Sequence, residues 1–267
     1  MVEPEVQKNR VNIMNKNDGL NIKVIEANKF LYDNIVNEYE TIDKRRSDKL
    51  FKWIDTKMEM ISKQTTGESI LDFGCGTGVI IKSAKKYFKK VYGADVSPKM
   101  VDYVKQFCDN AYLSDGQHLP FENESLDAVV CFAVLHHIYD YTNLFNEIHR
   151  VLKKGGILWT DHDIDINFVK KFNVFLKIYW GITKPYKNYL NFFKLKDAEV
   201  KNIYELSEIH SDGIDSGKII TQLNKLEFSD IKNRYHWFGL NKYINILIGN
   251  KTFKKGYAPL FSILARK

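Results

Sequence analysis

A glycine-rich segment, ILDFGCGTG at residues 70–78, carries the clearest chemical pattern in the sequence. Its glycines are Gly74, Gly76 and Gly78, and they follow Asp72. Glycine lets a backbone amide approach a ligand closely and lets a turn adopt positive φ. The dinucleotide pattern G-x-G-x-x-G fails, because the third glycine would have to be Val79 or Ile81. Since Asp72 would repel a pyrophosphate, the turn indicates a zwitterionic, cationic ligand instead.

Two further carboxylates follow at the ends of predicted strands. Asp95 ends VYGAD, where a carboxylate can accept hydrogen bonds from both hydroxyls of a ribose. Asp115 ends AYLSD twenty residues later, and its neighbour Gly116 leaves room for a flat adenine. These positions predict a nucleoside site at the carboxyl edge of a parallel sheet.

The elements around these residues alternate between strand and helix from Ser69 onward. SILDF, VYGAD, AYLSD, LDAVVCFAVLHHI and GILWTDHDI read as strands, with helical segments between them. Such alternation predicts an α/β fold with a doubly wound, mostly parallel sheet. Two later strand candidates, FSDIKNRYHWF and YAPLFSILARK, flank a helical GLNKYINILIG and bring the sheet to seven strands.

Four segments in order resemble the class I S-adenosylmethionine-dependent methyltransferases, the small-molecule branch in particular. They are ILDFGCGTG, GADVSPKM, SDGQHLPFENESLDAVVCFAVLHHI and LKKGGIL, within residues 66–162. The resemblance implies a Rossmann-like methyltransferase fold whose last strand is antiparallel, with S-adenosyl-L-methionine as cofactor and S-adenosyl-L-homocysteine as product. It also implies the cofactor-binding residues Asp72, Gly74, Gly76, Gly78, Asp95, Val96, Met100, Asp115, Gly116, Phe132 and His137.

The chain divides into four predicted parts around that core. Residues 1–65 form an N-terminal segment and helical cap, of which 1–28 look loosely structured, and 66–162 form the cofactor-binding core. Residues 163–227 form an aromatic, basic insertion that serves as an acceptor lid, and 228–267 complete the sheet.

A sulfonium methyl group is already activated, so positioning the acceptor in line with it is the main catalytic task. A general base is needed only when the acceptor must lose a proton. The catalytic candidates are His137, His162, His210 and Tyr39. The dense DHDID run at 161–165 also permits a metal interpretation, but no ligand spacing supports it, so we predict no metal site.

Residues 166–196 contain seven lysines and no acidic residue, interleaved with aromatic residues. On a helical wheel, one face would carry Phe168, Phe172, Phe175, Leu176 and Tyr179. The pattern fits a cap helix packed on the sheet, a peripheral membrane contact or a lid over an anionic ligand. A small-molecule or lipid acceptor is favoured over nucleic acid, because strand four ends in CFAV and lacks the Asn/Asp-Pro-Pro loop of enzymes that grip a flipped base.

Composition sets wider limits. The three cysteines are widely spaced, which suits a reducing compartment, and the start of the chain has no apolar stretch typical of a signal peptide, so we expect a cytoplasmic protein. A net charge of +7 permits an anionic partner. Two alternatives remain open, an enzyme that methylates tRNA or other RNA and a non-catalytic S-adenosylmethionine-binding partner subunit. The sequence leaves the oligomeric state undetermined.

Overall fold

A seven-stranded sheet organises the chain in the computed structural model, which describes residues 4–42, 47–193, 195–239, 245, 247–248 and 250–267. The strand order is β3-β2-β1-β4-β5-β7-β6. The strands are β1 Ser69–Phe73, β2 Lys90–Asp95, β3 Asn110–Leu113, β4 Leu126–Phe132, β5 Leu152–Ile164, β6 Ser229–His236 and β7 Leu260–Arg266. Strands β1 to β5 pair in parallel, and β7 runs antiparallel to both β5 and β6. The predicted fold class is therefore confirmed.

The central strands are apolar because both of their faces are covered. All five residues of β1 are buried, as are the first six of β4. One hydrophobic cluster packs α6 and α10 on one face, and the other packs α3, α4 and α5 on the opposite face. Strand order changes direction between β1 and β4, so their carboxyl ends open into the crevice where ligands bind in such sheets.

Ten α-helices surround the sheet in the part of the chain that the structure describes. They are α1 Pro4–Ile35, α2 Tyr39–Ile42, α3 Asp48–Lys63, α4 Val79–Ala84, α5 Pro98–Val104, α6 Thr142–Val151, α7 Ile166–Lys171, α8 Asn173–Thr183, α9 Asp197–Ser207 and α10 Ser216–Lys225. Short 3₁₀ helices lie at Leu135–His137 and Pro185–Phe192. None of the described helices is long and apolar enough to cross a bilayer.

The N-terminal region departs from the expectation of a loosely structured 1–28. Helix α1 already begins at Pro4 and continues to Ile35. Its Leu31 and Ile35 are fully buried against Phe193 and Val200, which belong to the insertion. Tertiary packing thus extends a helix that the sequence pattern reveals only from Phe30. The predicted helix in GLNKYINILIG lies largely outside the described residues.

The aromatic insertion does not form the continuous helix that the wheel assumed. It breaks at Phe172, which ends α7 and precedes α8. Phe168 is buried, whereas Phe175 and Tyr179 are more than half exposed, so the three do not share a packed face. The half-buried residues of this stretch are instead Phe172, Leu176 and Trp180.

Candidate active site

The glycine turn connects β1 to α4 at the crevice. Gly74 has φ +72°, and a Cβ there would lie 2.2 Å from Val134 Cγ2, so glycine is required by the packing of the loop after β4. Gly76 has φ +47°, but its nearest neighbour would be Tyr39 Cε1 at 3.9 Å. The turn therefore closes tightly on the sheet at Gly74 and stays open at Gly76, where a ligand can approach the backbone.

Asp95 at the end of β2 links the glycine turn to the turn between β2 and α5. Its Oδ2 accepts the Gly76 N–H at 2.9 Å, and its Oδ1 accepts the Ser97 N–H at 2.9 Å. Burial raises the pKa of Asp95, and the backbone N–H bonds partly offset that effect. A carboxylate has about four lone-pair sites, so each oxygen of Asp95 can accept one more hydrogen bond.

A cavity opens at this edge of the sheet. Its floor is the glycine turn, and its walls are the ends of β2, β3 and β4 together with α1. Its lining residues are Asn21, Val24, Ile25, Asn28, Tyr32, Tyr39, Phe73, Gly74, Cys75, Gly76, Thr77, Val79, Asp95, Val96, Ser114, Asp115, Phe132, Ala133, Val134, His137, Ile138 and Tyr139. Among the described residues, no lysine or arginine lines it.

A second part of the lining comes from α1 and the loop after β4. His137 Nδ1 lies 2.8 Å from the Ser207 carbonyl oxygen, and its Nε2 lies 2.8 Å from Tyr32 Oη. Burial, together with the neighbouring His136, lowers the pKa of His137 to about 4. The imidazole is therefore neutral, and because a carbonyl oxygen can only accept, the proton sits on Nδ1 and Tyr32 donates to Nε2.

Asn28 adds a second polar group to this wall. Its side-chain NH₂ donates to the carbonyl oxygens of Val24 at 2.9 Å and His137 at 3.0 Å, which fixes the amide orientation. Its Oδ1 is buried and has no hydrogen-bond partner among the described residues. Unsatisfied buried acceptors are rare in folded proteins, so this oxygen is suited to accept a hydrogen bond from a ligand.

A methyltransferase-domain family profile matches residues 71–160, which include the glycine turn, Asp95, Asp115 and the end of β4. Over these residues the chain is similar to the class I S-adenosylmethionine-dependent methyltransferases. S-adenosylmethionine is the methyl donor of that family.

Relatives match the chain over different lengths. An uncharacterized methyltransferase of Schizosaccharomyces pombe is 39% identical over 35% of this chain and 38% of its own length. An uncharacterized protein of Methanocaldococcus jannaschii is 26% identical over 88% of this chain and 89% of its own. This chain thus spans well under half of the first of these relatives.

A solved structure shares the fold over nearly the whole methyltransferase. It is an S-adenosylmethionine-dependent methyltransferase of Thermotoga maritima, described as a possible histamine N-methyltransferase. It superposes with a TM-score of 0.57 at 18% identity and covers 90% of this chain and 99% of its own. At that identity the likeness concerns the fold alone.

The residues implied for the cofactor fall into two groups in this methyltransferase. Those that line the cavity are Gly74, Gly76, Asp95, Val96, Asp115, Phe132 and His137, and those that do not are Asp72, Gly78, Met100 and Gly116. The residues of the second group lie outside the lining, and three of them are packed against neighbouring side chains or buried in a helix. A Cβ on Gly78 would lie 2.7 Å from Val104 Cγ2, one on Gly116 would lie 3.0 Å from Phe73 Cζ, and Met100 is fully buried in α5.

The surroundings of Asp72 help to test whether S-adenosylmethionine fits this site. Its carboxyl group is buried, and one oxygen has no partner among the described residues. Burial, with a smaller effect of Asp95, raises the pKa of Asp72 well above its usual range. A cation placed nearby would satisfy this oxygen and reverse the shift. The turn and Asp95, which line the cavity, therefore fit the ribose end of S-adenosylmethionine, whereas Asp72 lies outside the lining.

The four catalytic candidates also divide into residues that line the cavity and residues that do not. Tyr39 and His137 line the cavity, whereas His162 and His210 do not. His162 is buried behind Phe132, with ring centroids 4.3 Å apart. His210 Nε2 lies 2.9 Å from the Ile138 carbonyl oxygen, so it braces the loop after β4. Asn28 and Tyr32 line the cavity without any sequence motif to mark them.

The DHDID run divides among separate contacts. Asp161 Oδ1 accepts from His162 Nδ1 at 2.6 Å and from His236 Nε2 at 3.0 Å, and all three residues are buried. Burial alone would raise the pKa of Asp161, but the two imidazoles outweigh it and hold that pKa well below its usual range. Asp163 instead accepts from His136, and Asp165 caps α7. The three aspartates of the run therefore make different contacts and do not form a single group.

Proposed function

We propose that this protein transfers the methyl group of S-adenosylmethionine to an uncharged, largely apolar small-molecule or lipid-like acceptor that carries a hydroxyl or N–H group. The observation that carries the proposal is one cavity lined by two chemically different groups of residues. We name the glycine turn and Asp95 the donor wall, and Asn28, Tyr32 and His137 the acceptor wall.

The residues of the donor wall would position S-adenosylmethionine. Asp95 would hold the ribose hydroxyls, and the open backbone at Gly76 would face the methionine end. When bound, S-adenosylmethionine supplies an activated sulfonium methyl group, so catalysis depends mainly on how the acceptor is held. Asp115 and Phe132, which also line the cavity, complete the donor side.

The acceptor wall supplies hydrogen-bond acceptors without a charge. Asn28 Oδ1 is an acceptor with no partner among the described residues, and Tyr32, which donates to His137, lines the same cavity. With a pKa near 4, His137 is a weak base, so its role is to orient Tyr32. This favours a phenol or enol, whose proton leaves readily, or a neutral amine, which attacks through its lone pair and loses its proton only from the methylated ammonium product.

The charges of the lining argue against an anionic acceptor. The ionisable carboxyl groups on the described lining are those of Asp95 and Asp115, and a phosphate or carboxylate group would find no cationic side chain there. Apolar lining residues include Val24, Ile25, Val134 and Ile138. They suit a hydrocarbon or aromatic body attached to the reacting group.

Calorimetric titration of S-adenosylmethionine and S-adenosylhomocysteine tests the donor wall. We expect Asp95→Ala to weaken both by at least about tenfold, because charge-assisted hydrogen bonds are lost. Asp102→Ala, at a 73% exposed side chain, is the matched control and should bind like the parent. Equal affinity in Asp95→Ala would contradict the ribose assignment.

Labelled S-adenosylmethionine incubated with fractionated cell extract tests the acceptor wall. We expect label in the organic-soluble fraction, and Tyr32→Phe should slow its incorporation by about tenfold while donor affinity stays unchanged. Label found only in RNA would support the RNA-modifying alternative. No incorporation with any fraction would support a non-catalytic binding subunit.

A further inference from the structure

Helix α8 exposes an apolar face that nothing else in the described structure covers. No residue of Asn173–Thr183 is buried. The exposed apolar residues and their exposed fractions are Val174 75%, Phe175 66%, Ile178 59%, Tyr179 52% and Ile182 77%. At 100° per residue they occupy one continuous sector of the helix, so they form a single surface, here named the α8 face.

The other side of the helix explains why the α8 face points outward. Phe172, Leu176 and Trp180 recur every four residues and are only partly exposed, so they form the inner side. The helix is therefore apolar on two sides, and only one is turned toward the rest of the protein. An exposed apolar surface on an ordered helix is characteristic of an interaction site.

The charges in and next to α8 indicate the partner of the α8 face. Lys177 lies in the helix, Lys184 is its C-cap, and Lys170 and Lys187 lie within four residues of its ends. Lys170, Lys177, Lys184 and Lys187 are exposed and form no ion pair with any residue the structure describes, and 166–196 contains no acidic residue. Lysines around an apolar helix face complement an anionic lipid surface, where each contributes about 1 kcal/mol of binding, or about fivefold.

Other occupants fit less well. A second copy packed face to face would bring two sets of lysines together and incur like-charge repulsion. Single-stranded RNA would use the lysines and the two aromatic rings, but Val174, Ile178 and Ile182 offer it no stacking surface. Aliphatic residues of this kind gain by entering hydrocarbon.

We propose that the α8 face and its lysines dock this protein on the surface of anionic lipid bilayers. The helix lies in the interface with the α8 face toward the acyl chains and the lysines at the head groups. This docking does not depend on the proposed methyl transfer, since none of its residues lines the cavity.

Flotation with phosphatidylcholine vesicles, with and without phosphatidylserine, tests the proposal. We expect the protein to float with the anionic vesicles and not with the neutral ones. Ile178→Ser should lower the partition coefficient by about tenfold, because several buried methylene groups are lost. Leu247→Ser, at an apolar residue that is 81% exposed elsewhere, is the matched control and should float like the parent.

Lys177→Gln separates the charge contribution and should lower partitioning by about fivefold at low salt. Equal flotation of Ile178→Ser and the parent would overturn the proposal. The proposal would also be overturned if the parent does not float but sediments as a dimer that Ile178→Ser dissociates. Retention of the parent on RNA, without flotation, would overturn it as well. Donor affinity measured on the same samples should be unchanged, which separates failure of docking from failure of the proposed function.

Discussion

Acidification should destabilise this protein through His137 before it affects most carboxylates. The imidazole is buried, donates from Nδ1 to the Ser207 carbonyl oxygen and accepts from Tyr32 at Nε2, so the folded protein holds it neutral. Its pKa falls from the ordinary 6.5 to about 4 on folding. Between these two values the unfolded chain binds a proton that the folded protein excludes, so stability decreases as the pH decreases.

The size of the effect follows from these two pKa values. At 1.36 kcal/mol per pKa unit, the full difference corresponds to about 3 kcal/mol. The stabilisation is complete above pH 6.5 and is lost progressively as the pH falls toward 4. Between pH 7.5 and pH 5, His137 alone should remove about 2 kcal/mol from the free energy of unfolding.

Urea unfolding at pH 7.5, 6 and 5 measures this contribution when the parent is compared with His137→Gln. The glutamine amide can donate and accept like the neutral imidazole but does not titrate in this range. We therefore expect His137→Gln to lose about 2 kcal/mol less than the parent on going to pH 5.

Burial also lowers the pKa of His149, but that residue is present in both proteins, and its contribution cancels in the difference. If the parent and His137→Gln lose the same stability between pH 7.5 and pH 5, His137 is not held neutral by its surroundings. The assignment of Tyr32 as the donor would then fail as well.

Two substitutions test the packing around the site. Gly74→Ala should destabilise the fold by about 3 kcal/mol, since a Cβ would overlap Val134 Cγ2 and the left-handed backbone disfavours alanine. Thermal and urea unfolding measure the loss of stability. A loss below about 1 kcal/mol would contradict the turn geometry. Asp161→Asn should cost about 3 kcal/mol, because it removes the buried charge that accepts from His162 and His236. Asp102→Asn, at an exposed carboxylate, is its control, and equal stabilities of the two variants would refute that role.

The donor half of the site could be predicted because its chemistry is local in the sequence. The glycine turn follows buried β1, Asp95 ends β2 and Asp115 lies two residues past β3, and parallel strands place their carboxyl ends at one edge. Hydrophobic runs such as β4 and the antiparallel β7 were equally visible. Strand-end residues thus follow from topology once the alternation of strands and helices is recognised.

The aromatic insertion shows why burial was harder to predict. A helical wheel identifies residues on one side of a helix, but α8 is apolar on both sides, so periodicity alone cannot say which side packs. The break at Phe172 also shifts the register between Phe168 and the residues of α8. The predicted face therefore mixed buried Phe168 with exposed Phe175 and Tyr179.

The acceptor half was hidden for a different reason. Asn28 and Tyr32 lie in a stretch with no motif, and Tyr32 meets His137 across 105 residues of sequence. Helix α1 is held in place by Asp33, whose Oδ1 accepts from Ser97 Oγ at 2.6 Å and from the Lys99 N–H at 3.1 Å. Because Ser97 also donates its backbone N–H to Asp95, α1 and the ribose carboxylate are braced by the same residue. The arrangement joins the acceptor wall to the donor wall, so a change that loosens α1 should disturb both.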